Sequence, residues 1–184
     1  MLLNGYLNFM KLLLHTCCGP CACYPLTVLA EANIEVCGFF YNPNIHPYRE
    51  FARRLEAMQQ LAARRELEMI YEHRYGLRSY LRQVVFQEEE RCRLCYRMRL
   101  QVVAAKTREI GADAFSTTLL YSRYQQHELI RAIAEEEAAR QRVKFYYQDF
   151  REGWQQGIKL SKEWGLYRQP YCGCIYSEED RYNK

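Results

Sequence analysis

At 184 residues, with 49% hydrophobic and 26% charged side chains, the chain is long enough to bury a real core and too apolar to be a disordered tail. No apolar run approaches the ~20 residues of a membrane-spanning helix, so a membrane is not an expected partner. The net charge of +4 identifies no partner by itself. Its distribution says more: Arg49 to Glu109 holds fourteen Lys and Arg against nine Asp and Glu. Most of these cations are Arg, which suits bidentate phosphate contacts. Arg53, Arg54, Arg64 and Arg65 fit solvated helix faces with i,i+4 pairs equally well.

Met1 to Phe9 lack a basic n-region and a small-residue cleavage site, and do not read as a signal peptide. Met10-Lys11 before an apolar run resembles a chain start, so residues 1–9 are expected to be an N-terminal extension with little structural role. Lys11 to Thr16 reads as a buried strand ended by the turn signal Gly19-Pro20. A helix over Tyr24 to Asn33 and a second buried strand over Ile34 to Tyr41 follow. Asn42-Pro43-Asn44 then opens a loop. Phe51, Leu55, Met58 and Leu61 recur at helical spacing, giving an amphipathic helix over Tyr48 to Arg65. Leu67 to Tyr71 is a third strand. Helices over Leu77 to Glu90 and Tyr96 to Ile110 come next, the second closed by Gly111. A strand over Ala112 to Ser116, a helix over Gln125 to Arg140 and a strand over Val143 to Tyr147 complete the alternation. Phe150 to Lys184 is expected to be a short helix and an irregular aromatic tail. No repeat or linker interrupts the chain, so residues 1–184 are expected to form one domain. Its class is α/β: a parallel sheet covered by helices on both faces, with ligands beyond the strands' carboxyl ends. The loops starting at Cys17, Asn42 and Thr117 are the ones to watch.

Nine cysteines are an odd number with no export signal, which points to a reducing cytoplasmic setting and to metal or redox chemistry. Seven fall into three groups. Cys17-Cys18-Gly19-Pro20-Cys21 leaves the first strand; Cys92 and Cys95 stand three apart at the start of a helix, where thiolate is favoured; Cys172-Gly173-Cys174 lies near the end. Two CxxC pairs would signal structural zinc. Here one pair is instead an adjacent Cys-Cys, whose side chains diverge and suit a larger iron–sulfur cluster better. Cysteines flanking one glycine can close a small, strained and labile disulfide, or serve as two more ligands. Cys23 and Cys37 read as small core residues.

The ordered motifs Leu13-Leu14-His15-Thr16-Cys17-Cys18-Gly19-Pro20-Cys21, Tyr41-Asn42-Pro43-Asn44-Ile45-His46-Pro47, Cys92-xx-Cys95-Tyr96, Ser116-Thr117-Thr118-Leu119 and Tyr167-Arg168-Gln169-Pro170-Tyr171-Cys172-Gly173-Cys174 resemble the cobalamin-independent epoxyqueuosine reductases, the QueH family, over nearly the whole chain after Met10. The resemblance implies a Rossmann-like fold of the adenine nucleotide alpha hydrolase kind. It implies reduction of the epoxide of epoxyqueuosine to queuosine at the wobble base of tRNA, the last step of queuosine synthesis. It further implies a [4Fe-4S] cluster on Cys17, Cys18, Cys92 and Cys95, and a redox-active disulfide at Cys172 and Cys174. A second, mononuclear metal (iron) beside the cluster is compatible with it, Cys21 being that metal's ligand or a cluster ligand itself. The expected partners are tRNA carrying epoxyqueuosine and an electron donor that the sequence does not identify.

The chemistry consumes two electrons and two protons and releases water, so a proton donor is required. His15, His46, Tyr171 and Asp149 are candidates, His15 reading better as a hydrogen-bonded core histidine. Asn42, Asn44 and His46 are candidate contacts to the modified base, or simply the turn that Asn-Pro favours. Thr117, Thr118 and Ser122 are candidate N-caps. The alternatives are a CCG-type heterodisulfide reductase-like domain, which the terminal Cys-Gly-Cys argues against, and a zinc-stapled RNA-binding module. An ATP-using tRNA modifier is disfavoured because Cys17-Cys18-Gly19-Pro20 stands where a phosphate cradle would be.

Overall fold

A computed structural model of the chain describes residues 9–183; the expected extension over residues 1–9 therefore lies, apart from Phe9, outside the described residues. Five strands, β1 (Lys11–His15), β2 (Glu35–Phe40), β3 (Glu68–Tyr71), β4 (Ala114–Thr117) and β5 (Lys144–Phe145), form one parallel sheet in the order β3-β2-β1-β4-β5. Leu12, Leu13 and Leu14 are fully buried because β1 is central and covered on both faces, which is why its sequence is continuously apolar. Seven helices follow in chain order: α1 (Gly19–Glu31), α2 (Tyr48–Arg65), α3 (Leu77–Val84), α4 (Arg91–Ile110), α5 (His127–Gln141), α6 (Trp154–Glu163) and α7 (Ile175–Tyr182). α1 packs against α2 and α6, and α4 packs against α5. Right-handed crossovers place these two groups on opposite faces of the sheet.

The differences from the sequence reading have identifiable causes. α1 starts at Gly19, five residues before the expected start. Pro20 falls in its first turn, where no backbone N–H is needed, so Gly-Pro opens the helix here rather than forming a free turn. α3 stops at Val84, because Phe86 takes a left-handed conformation (φ 67) and Glu88–Glu90 form a short 3₁₀ turn. α4 then begins at Arg91, with those three acidic residues at its positive end. The tail is more ordered than expected, since Ile175–Tyr182 is helical.

α4 ends as expected on Gly111, which adopts φ 67 with nothing within 4 Å of where a Cβ would stand. Gly111→Ala is thus a purely conformational change, expected to lower stability by about 1 kcal/mol. The shift in urea midpoint at unchanged slope measures it.

Candidate active site

The strand order reverses direction at β1, between β2 and β4, where an open α/β sheet leaves a crevice at the carboxyl ends of its strands. Each helix runs back along the sheet, so helix first turns gather at that same edge. This brings together cysteines far apart in sequence. Cys17 leaves β1, Cys18 is the extended N-cap of α1 and Cys21 lies in its first turn; Cys92 and Cys95 lie in the opening turns of α4.

The Sγ atoms of Cys17, Cys18 and Cys21 all lie within 4.8 Å of one another, those of Cys17 and Cys18 at 3.8 Å. The expectation that the adjacent pair diverges does not hold: α1 begins immediately after Cys18, and the turn directs both sulfurs toward Cys21. Thr118, just past β4, ties this loop down by accepting from the Cys17 N–H (3.2 Å) and donating to its Sγ (3.5 Å). Hydrogen bonds from the Cys18 and Cys21 thiols, and then from Thr118, hold Cys17 well below the ordinary thiol range. Burial pushes the Cys18 thiol up, and donation to Cys17 raises Cys21. The arrangement thus favours thiolate at Cys17 over its two neighbours.

Cys92 and Cys95 stand with the terminal pair. Cys95 packs with Cys174, Tyr80, Val84 and Met98, and burial, reinforced by the neighbouring Cys172 sulfur, pushes the Cys92 thiol up. Burial pushes Cys95 up to about 12 despite its place near a helix N-terminus, with the Arg99 guanidinium opposing. Cys172 and Cys174 are free thiols, one exposed and one buried. Between them Gly173 has φ 153 and lies against Asn44 and Arg54, a place no L side chain would fill without strain. Cys174 caps α7, accepting from the Ser177 N–H. Cys23 is buried on α1, with its thiol on the Gly19 carbonyl, as a core residue should be.

Two guanidiniums lie behind these sulfurs. Arg99 is 1% exposed and donates to the Cys95 carbonyl and, at 3.2 Å, to its Sγ; among the described residues no carboxylate pairs with it. Arg54, one of the arginines that the sequence fitted equally to a solvated face, is also 1% exposed. It pairs with Glu50 (2.6 Å) and donates to the carbonyls of Cys172 (2.6 Å) and Tyr171 (2.9 Å). A buried cation without a carboxylate calls for negative charge nearby, and among the described residues the groups whose anionic forms would offset Arg99 are chiefly sulfurs, Cys95 first and then Cys172 and Cys17.

A cavity of about 840 Å³ opens over the trio. Cys17, Cys21 and Cys172 reach it, as do both guanidiniums. Gln125 donates its amide to Cys172 Sγ (3.1 Å) and Gln169 to Cys21 Sγ (3.3 Å). Neither glutamine carries a sequence signal; the trailing Tyr167–Cys174 motif merely contains one of them.

Of the expected base contacts, Asn44 alone lines this cavity; it is 2% exposed and its Oδ1 has no partner among the described residues. Asn42 donates to the Thr16 carbonyl, and His46 is fully buried against the Pro43 carbonyl. His15 is a core histidine: its ring nitrogens meet Thr117 Oγ1 and the Tyr41 carbonyl, and burial lowers its pKa to about 4. Asp149 is paired to Arg151, which holds its carboxyl at about 2. Tyr171 is the one candidate proton donor on the cavity wall, its hydroxyl donating to the His46 carbonyl. Thr117 caps the 3₁₀ turn Thr118–Tyr121, while Ser122 accepts from the Tyr124 N–H.

Among solved structures, a predicted subunit of a tRNA methyltransferase from Methanocaldococcus jannaschii matches with a TM-score of 0.54 over 84% of this chain and 77% of that one; at 11% identity it shows the Rossmann-like fold alone. An epoxyqueuosine reductase QueH from Dehalococcoides mccartyi is 40% identical, covering 95% of this chain and 96% of its own. That of Thermotoga maritima is 35% identical over 94% and 92% respectively. The family profile "Epoxyqueuosine reductase QueH" matches residues 12–180, a span containing every cysteine described above. The chain belongs to the epoxyqueuosine reductase QueH family and is an oxidoreductase.

Proposed function

We propose that this protein reduces the epoxide of epoxyqueuosine to queuosine at the wobble position of a cytoplasmic tRNA, and that it holds an iron–sulfur cluster to do so. The observation carrying this reading is the trio Cys17, Cys18 and Cys21, opening into a cavity backed by a buried guanidinium that lacks a carboxylate. The donor set fits the group: soft thiols, one of them biased to thiolate, beside fixed positive charge that offsets the negative charge of a thiolate-bound cluster. Cys17 and Cys18 would hold it from the turn between β1 and α1, with Cys92 and Cys95 from α4 completing the set and Cys21 serving it or an adjacent iron. Such a cluster supplies single electrons and a Lewis acid toward oxygen.

The chain's own residues do the rest. Asn44, with its free Oδ1, orients the modified base from the cavity floor. Tyr171, on the cavity wall, would pass a proton to the departing oxygen once its hydroxyl leaves the His46 carbonyl. Cys172 and Cys174 store an electron pair as a dithiol, oxidised to a disulfide and reset by an external low-potential donor. The whole conversion takes up two electrons and two protons and releases one water.

The test is anaerobic incubation of cluster-loaded protein with epoxyqueuosine-containing tRNA and a strong reductant, followed by nucleoside analysis. Queuosine is the expected product; an iron-replete protein that leaves the epoxide untouched refutes the assignment. A colourless preparation that folds around zinc and binds RNA would favour the structural alternative.

A further inference from the structure

One wall of the cavity is aromatic and runs out to its rim. Tyr121 is buried and stacks on Trp154 (5.1 Å between centroids, 29°), donating its hydroxyl to the Trp154 carbonyl at 2.9 Å. Tyr124 stands edge-on to the same indole (5.6 Å, 78°), and the Arg123 guanidinium lies 5.9 Å from its centroid. Tyr124 itself is 85% exposed. The backbone beneath it is fixed by its N–H on Ser122 Oγ. An aromatic ring supported from below and left open above is a preorganised stacking surface.

The charges around it match an anionic ligand. Arg168 and Arg181 are exposed and line the same cavity, and Asp180 is the one carboxylate among the lining residues, already paired with Arg91 at 2.7 Å. Phosphates would therefore meet uncompensated guanidiniums, while a base would meet a ring. Bases in a duplex are stacked on one another and offer no free face, so this combination suits the unpaired nucleotides of an RNA loop.

We infer that Tyr124, supported by Trp154 beside Arg123 and sharing the cavity with Arg168, is the ledge on which a nucleotide next to the modified base stacks when an RNA loop enters the cavity. This rests on the proposed function for its substrate, but it adds the surface that positions the RNA. Base–aromatic stacking is sequence-tolerant, so the ledge holds the loop without reading its neighbours.

The test is binding of epoxyqueuosine-containing tRNA to the full-length protein by fluorescence anisotropy, without reductant so that no turnover occurs. Tyr124→Ala is expected to weaken binding roughly tenfold or more, and Tyr124→Trp to restore it. Arg168→Ala should reduce the salt slope by about one contact. Tyr48→Ala, another exposed tyrosine outside the cavity lining, should bind as the parent does. Equal affinity for Tyr124→Ala and parent overturns the inference, as does a parent that does not bind the RNA. Dispersal of a parent dimer by Tyr124→Ala with unchanged RNA affinity also overturns it, assigning the ring to self-association. Turnover by the parent is scored separately: a parent that binds RNA through Tyr124 yet leaves the epoxide intact sinks the proposed reaction and leaves the ledge standing.

Discussion

Cys17→Ala is expected to lose bound iron after anaerobic reconstitution, lose its visible absorbance and lose turnover by on the order of 100-fold or more. Cys17 is the hub of the trio: the sulfurs of Cys18 and Cys21 lie within 4.8 Å of its sulfur, and the Thr118 hydroxyl donates to it. Removing it takes away a ligand and also the group that organises the other two. The fold should survive, because Cys17 is only partly buried, at a strand end on the margin of the core. Metal-free variant and metal-free parent should therefore melt within a few degrees of each other. Cys23→Ala is the matched control; its thiol donates to the Gly19 carbonyl and is not part of the cysteine cluster found among the described residues, so iron content should be unchanged. The same assay distinguishes the ligand sets. Family resemblance pairs Cys17 and Cys18 with Cys92 and Cys95, whereas proximity joins them to Cys21. Iron lost in Cys92→Ala and Cys95→Ala but retained in Cys21→Ala would favour the first. A Cys17→Ala protein that keeps its iron and its turnover would remove the trio from the mechanism.

Much of this arrangement was legible in the residues. Continuous apolar runs identified β1 and β2 as buried strands, and the 3.6-residue spacing of Phe51, Leu55, Met58 and Leu61 placed α2 at both of its ends. The cysteine groups were legible because thiols in tight spacing have few other uses. Parallel topology then forces the loop after β1 and the start of α4 to one edge of the sheet. What could not be read is which polar side chains face inward. Arg54 sits in a helix dense with exposed cations, and its partners Tyr171 and Cys172 lie 117 and 118 residues away. Arg99 has the same problem: its burial beside Cys95 depends on the terminal segment packing over α4. Gln125, Gln169 and the Tyr124–Trp154 contact belong to no motif. Asn42 and His46 were conspicuous because they flank prolines, yet that position committed them to holding the loop itself.

Arg54→Met should be the most damaging single change outside the cysteines, destabilising the fold by about 3–5 kcal/mol, or roughly 6–20 °C in melting temperature for a chain of this size. The guanidinium makes three charge-assisted hydrogen bonds in a nearly dry site, one to Glu50 and two to backbone carbonyls of the terminal segment. Methionine fills similar volume, so little is lost in packing. The loss lies in Glu50, left buried with only the Tyr167 hydroxyl (2.5 Å), and in two carbonyls without donors. A double change to Glu50→Gln and Arg54→Met should therefore recover part of the loss, because it removes the stranded charge. Arg54→Lys should fall between, keeping charge but not the fork that reaches both carbonyls. Melting temperatures of the parent, Glu50→Gln, Arg54→Met and the double variant measure the coupling, and an Arg54→Met protein within a degree or two of the parent would refute it. Turnover should fall even where the fold holds. Arg54 ties α2, close to Cys18 and Cys17, to the segment that carries Cys172. A hydrophobic isostere could replace the ion pair in a purely structural role. It could not supply positive charge to the sulfurs while gripping the segment that carries Cys172.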